Sequence, residues 1–157
     1  LLLDKGAEVC QAANSGASPL YIASDKGHLD VARLLLDKGA EVGQADNNGT
    51  SPLRIASRND HLDVVRLLLD HGAEVGQAKN DGASPLSVAS HNGHLDVARL
   101  LLDNGAEAGQ AATGLMSPLH AAKHNGHLDV VRLLLEEHAE VSQRNNRVRS
   151  QRNEPHT

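Results

Sequence analysis

Ten histidines are the residues in this chain with the most obvious capacity for chemistry. His120, His124 and His127 fall at i, i+4 and i+7, and His91 and His94 at i and i+3, spacings that can present imidazoles on one helical face for zinc. Gly126 and Gly93 lie inside those two stretches and oppose the unbroken helix such a ligand set needs. No metal and no cofactor are therefore expected. Cys10 is the only cysteine, and a nucleophile requires a positioned base that no repeated unit supplies uniquely. No glycine-rich phosphate loop is present, so no catalytic residue is assigned and the chain is not expected to be an enzyme or to take a small-molecule substrate. A lone cysteine cannot close an intrachain disulfide, which favours a reducing compartment, cytoplasmic or nuclear.

Tyr21 is the only aromatic residue. Single-strand nucleic-acid binding uses aromatic platforms, so a nucleic-acid partner is disfavoured. Apolar runs extend only a few residues, too short to insert in a membrane. The formal net charge of -5 is unevenly spread: Arg144, Arg147, Arg149 and Arg152 stand against Glu154 near the end, so an acidic body carries a basic tail. Residues 145–157 are expected to be a solvated, disordered terminus.

The elements that must position these residues come from a repeat. HLDVARLLLD stands at 28–37 and, letter for letter, at 94–103; HLDVVRLLLD follows the same pattern at 61–70 and HLDVVRLLLE at 127–136. The period is 33 residues, shared by Pro19, Pro52, Pro85 and Pro118, and such self-similarity marks a stacked array. Gly6, Gly39, Gly72 and Gly105 keep the same spacing, but the fifth member has become His138. The expected organisation is a partial repeat at 1–12, four repeats at 13–45, 46–78, 79–111 and 112–144, and the tail. Because LLLDKGAEV at the start matches 34–42, the chain reads as a piece of a longer array.

Within residues 46–78, Asp46-Asn47-Asn48-Gly49 is turn chemistry. Ser51-Pro52 then fits a helix N-cap followed by the first helical position, with a short helix from about Pro52 to Arg58. The Asn59-Asp60 pair breaks it; sister repeats have Gly at the second place, so Asp60 in a left-handed conformation costs on the order of 1 kcal/mol. A second helix runs from His61 to about His71, apolar over more than one side, and Gly72 ends it. One unit cannot bury enough to fold alone, so the leucine face must be shared between neighbours. Recurrence of the ten residues follows from that shared face.

SPLYIAS, SPLRIAS, SPLSVAS and SPLHAAK, each followed by GHLDV or DHLDV and then by RLLLDKGAEV or a variant of it, give the chain its resemblance to the ankyrin repeat family, whose signature is TPLHxAA. The resemblance implies an all-α solenoid of stacked helix-turn-helix units with projecting β-turn fingers and a concave face that binds other proteins. The family's histidine in that signature survives only as His120, with Tyr21, Arg54 and Ser87 elsewhere, so the hydrogen-bond ladder it supplies is expected to be mostly missing. The last finger, with Leu115 where the others have glycine, is expected to be distorted.

In an array the invariant positions build the stack, and the positions that differ between copies are free to recognise something else. On the fingers these are Asn47, Asn48, Thr50 and Asp81. On the first helices, at places the resemblance puts on the concave side, they are Tyr21, Asp25, Lys26, Arg54, Arg58, Asn59, Ser87, His91, Asn92, His120, Lys123, His124 and Asn125. That set is basic to polar although the array is acidic. It is expected to dock an acidic or polar segment of a partner protein, with Tyr21, Arg54 and Arg58 as anchors. The function read from the sequence is thus a protein-interaction scaffold; the alternative is the substrate-recruiting module of a larger enzyme such as a ubiquitin ligase or kinase.

Overall fold

The computed structural model describes residues 11–79, 81–109 and 117–152. The partial repeat at 1–12, apart from its last two residues, and the finger around Leu115 lie outside them. Among the described residues the regular structure is eight helices and no strand: α1 (Pro19–Lys26), α2 (Leu29–Asp37), α3 (Pro52–Arg58), α4 (Leu62–Asp70), α5 (Pro85–Asn92), α6 (Leu95–Asp103), α7 (Pro118–His124) and α8 (Leu128–Arg152).

Each odd-numbered helix starts in the same way. Ser18, Ser51, Ser84 and Ser117 cap with their hydroxyl oxygens, accepting from the amides of Tyr21, Arg54, Ser87 and His120, and a proline occupies the first helical turn, where its missing N–H is no loss. Each also ends sharply, on a left-handed residue: Gly27 (φ 71°), Gly93 (φ 77°), Gly126 (φ 74°) and, in the second unit, Asp60 (φ 62°). The conformation is imposed at Asp60 in spite of its Cβ, as the spacing predicts.

The even-numbered helices begin one residue later than the sequence suggests, at Leu62 rather than His61. His61 makes no cap bond to its own helix because its ring is turned toward the preceding unit. Val64, Val65 and Leu68 in α4, and Val97, Ala98 and Leu101 in α6, are at most 1% exposed. Ala23, Ala56, Ala89 and Ala122 are buried in the first helices, and their small side chains let the helix layers approach. A single apolar cluster runs continuously from Leu20 to Leu134. α1, α3, α5 and α7 pack successively on one another, as do α2, α4, α6 and α8, and every odd helix packs on the even helix that follows it.

The expected disordered tail is a correction. α8 does not stop where α2, α4 and α6 stop; it continues without a break to Arg152, so residues 145–152 are helical, and 153–157 lie outside the described residues. The reason is local. Gly39, Gly72 and Gly105 terminate their helices with φ of 89°, 84° and 91°, whereas position 138 holds a histidine, for which a left-handed turn is strained and a further helical turn is not.

Candidate functional site

Two rows of variable residues run across the odd helices. Tyr21, Arg54, Ser87 and His120 stand just past the helix starts; Asp25, Arg58, His91 and His124 stand near the ends, with Lys26, Asn59, Asn92 and Asn125 next to them.

Arg54 is not the exposed anchor expected of it. Its side chain is buried, at 8% exposure; Nε donates to the Ala83 carbonyl at 3.0 Å and Nη1 to the Thr50 hydroxyl at 3.4 Å. It clamps its own finger to the next. Burial pushes the guanidinium below its ordinary value, chiefly against the opposing pull of the Asp81 carboxylate. Thr50 and Ser87 are buried too, and Ser87 donates its hydroxyl to the Ser84 carbonyl at 2.8 Å. These three expected contacts are spent inside the array.

Tyr21 is partly open. Burial raises its phenol pKa, the Asp46 and Asp25 carboxylates raise it further, and Arg58 and Arg54 oppose them. The hydroxyl is therefore a neutral hydrogen-bond donor at physiological pH. The fingers beside it are held by Asx turns: the Asp46 carboxylate accepts from the amides of Asn48 (3.0 Å) and Thr50 (2.8 Å), and the Asp81 carboxylate from Ala83 (3.0 Å). That amide bond, with the positive charges of Lys79 and Arg54 close by, holds the Asp81 carboxyl below the usual carboxylate range. Asn47 ties its finger to the preceding one, donating its amide N–H to Ser15 (3.0 Å) and its side chain to Asn14 (3.2 Å).

At the other end of the odd helices lies an arrangement that sequence reasoning did not assign. His61, His94 and His127 each donate Nε2–H to a carbonyl 36 residues earlier: Asp25 (3.0 Å), Arg58 (2.9 Å) and His91 (2.9 Å). A carbonyl can only accept, so the bond fixes the tautomer. The ladder expected to be missing from the TPLH positions is supplied here instead. Its signal was the glycine that each of two histidines covers: a Cβ at Gly27 would lie 2.6 Å from Nδ1 of His61, and one at Gly93 2.5 Å from Nδ1 of His127. Asn59 adds bonds to the Asp25 carbonyl (3.0 Å) and carboxylate (2.9 Å), and Asn125 donates to Nδ1 of His91 (3.1 Å). Lys26 completes the group with an ion pair to Asp25 at 3.3 Å.

Arg58, His91 and His124 remain exposed along this edge, together with Lys123, His120, Asn92 and Asn125. Among the described residues no group of three or more His, Cys, Asp or Glu is placed to hold a metal ion, and no helix is long and apolar enough to cross a membrane.

Capped helix pairs stacked through shared leucine faces and stitched by imidazole-to-carbonyl bonds define a helical repeat protein of the solenoid class. A family model for ankyrin repeats matches three times, over residues 1–79, 41–112 and 72–145, and the chain belongs to the ankyrin repeat family. Comparison with curated proteins returns no match. Members of the family are generally protein-protein interaction modules, and proteins built from it are typically non-enzymatic scaffolds.

Proposed function

We propose that this chain docks an acidic or polar segment of another protein along its odd-helix edge, with Tyr21 and Arg58 as anchors and the fingers around Asn48 and Asp81 as a border. The observation that carries this reading is the exposed row Arg58, His91 and His124, which repeats at one register position with Lys123 beside it. The Arg58 and His91 carbonyls are already occupied by the histidine ladder, so these two side chains stand on a fixed backbone. Asp25, the one acid in the row, is paired with Lys26 and accepts a hydrogen bond from Asn59. Closer packing in the odd layer than in the even one supports placing this edge on the inside of the curve. Arg54 contributes by fixing two fingers rather than by touching the partner.

Selection from a random peptide library against the purified chain tests the reading. Enriched peptides are expected to be acidic, and Arg58→Ala combined with Lys123→Ala should weaken them about tenfold while leaving the thermal melt in place. Selection of neutral or basic peptides, or binding unchanged in that double variant, would place the interface elsewhere.

A further inference from the structure

The extension of α8 carries a surface that the docking edge does not use. From His138 to Arg152 every residue is exposed, although an isolated helix of this length is marginal in water. The extension is not uniformly polar. Leu134, buried in the array, is followed at seven-residue steps by Val141 and Val148, which are 47% and 48% exposed. The buried stripe of α8 therefore continues past the end of the stack as a half-exposed one. Beside its first turn lies an open cleft of about 450 Å³, lined by Leu102, Ala106, Ala108, Glu137, Val141 and Arg144.

Charge tells which occupant fits. The root of the extension is acidic, with Glu136 and Glu137 just before it and Glu140 within it, and the remainder is basic, with Arg144, Arg147, Arg149 and Arg152. A parallel copy of the same helix would set like charges together. An antiparallel copy sets each acidic part against a basic one, and a two-fold axis makes every such contact twice. Glu140 and Arg147, seven residues apart, flank the valine stripe on the same side. In an antiparallel pair that flank of one helix meets the same flank of the other, which brings Glu140 of one copy to Arg147 of the second.

We propose that the α8 extension is a self-association helix, pairing antiparallel with the same helix of a second copy of this chain through Val141 and Val148. Sedimentation equilibrium of the 157-residue chain in reducing buffer tests it, the reductant removing any contribution from Cys10. The wild type is expected to be a dimer. Glu140→Arg and Arg147→Glu should each weaken association about tenfold, since each turns two attractive pairs per dimer into repulsive ones. The double variant, which restores opposite charges across the axis, should return to within about threefold of wild type. Val148→Glu should give a monomer. All three substitutions lie beyond the stacked core, so an unchanged far-UV spectrum and melt show that folding is not what moved. A wild type that is still monomeric at about 1 mM overturns the proposal, as does a dimer indifferent to Val148→Glu; a double variant no better than either single one overturns the antiparallel arrangement.

Discussion

Replacing Gly93 by Ala, set against the same change at Gly126, isolates the contribution of the histidine ladder. Both glycines end an odd helix in the left-handed conformation, with φ of 77° and 74°. They differ in what a Cβ would meet. At Gly126 nothing lies within 4 Å, whereas at Gly93 the new methyl would fall 2.5 Å from Nδ1 and 2.9 Å from Cγ of His127. The conformational penalty, about 1–2 kcal/mol for a non-glycine residue, is common to both, as is the partial compensation of about 0.4–1 kcal/mol from a stiffer unfolded chain. Gly126→Ala should therefore cost about 1 kcal/mol. Gly93→Ala must in addition displace an imidazole from the His91 carbonyl, to which it is bonded at 2.9 Å, adding about 0.5–1.5 kcal/mol. The expected total is about 2 kcal/mol. Urea unfolding followed by far-UV circular dichroism is the assay, because the chain has no Trp and a single Tyr. Equal losses at the two positions would refute the claim that a Cβ at Gly93 crowds the imidazole of His127.

Asp60→Gly should stabilise the chain by about 0.5 kcal/mol in the same assay, because relief of the left-handed strain exceeds the added freedom of the unfolded chain; the exposed Asp60–His94 approach of 3.8 Å offers little to lose. Arg54→Ala should cost about 1–3 kcal/mol by leaving the Ala83 carbonyl without its donor, a loss visible in the melting temperature and absent from Arg58→Ala. Because the folded Asp81 carboxyl is depressed, its contribution is fully present above the unfolded value and lost as pH falls through the folded one. The melting-temperature gap between wild type and Asp81→Asn should thus narrow as pH falls below the ordinary aspartate value of about 4. His138→Gly should end α8 near its third unit-length turn and remove the helical signal of roughly a dozen residues, read by far-UV circular dichroism.

Repetition made the stack legible before any coordinates. Ser-Pro starts, left-handed stops and the leucine run are local signals, each tied to backbone geometry that a single unit must satisfy. Asp60 shows how far this reaches: its conformation followed from the glycines at its sister positions. Arg54 shows where it ends. A variable arginine on a first helix looks like a binding residue, and only the position of the Ala83 carbonyl, 29 residues on, reveals it as a clamp. The histidines at 61, 94 and 127 were visible as invariant, but their partners lie in the preceding unit, beyond the range of helix propensity. The tail was misread for a different reason: composition argued for a solvated terminus, while the loss of one glycine at 138 removed the stop signal that would have produced it.

Every imidazole bond in the ladder reaches back 36 residues and no further. The molecule is consequently indifferent to its own length. A crossover between the identical decapeptides at 28–37 and 94–103 would excise 66 residues, His91 among them, yet His127 would then follow Asp25, whose carbonyl already accepts the same bond from His61. The shortened chain would keep its remaining joints chemically intact, and a duplication by the same route would insert units that already fit.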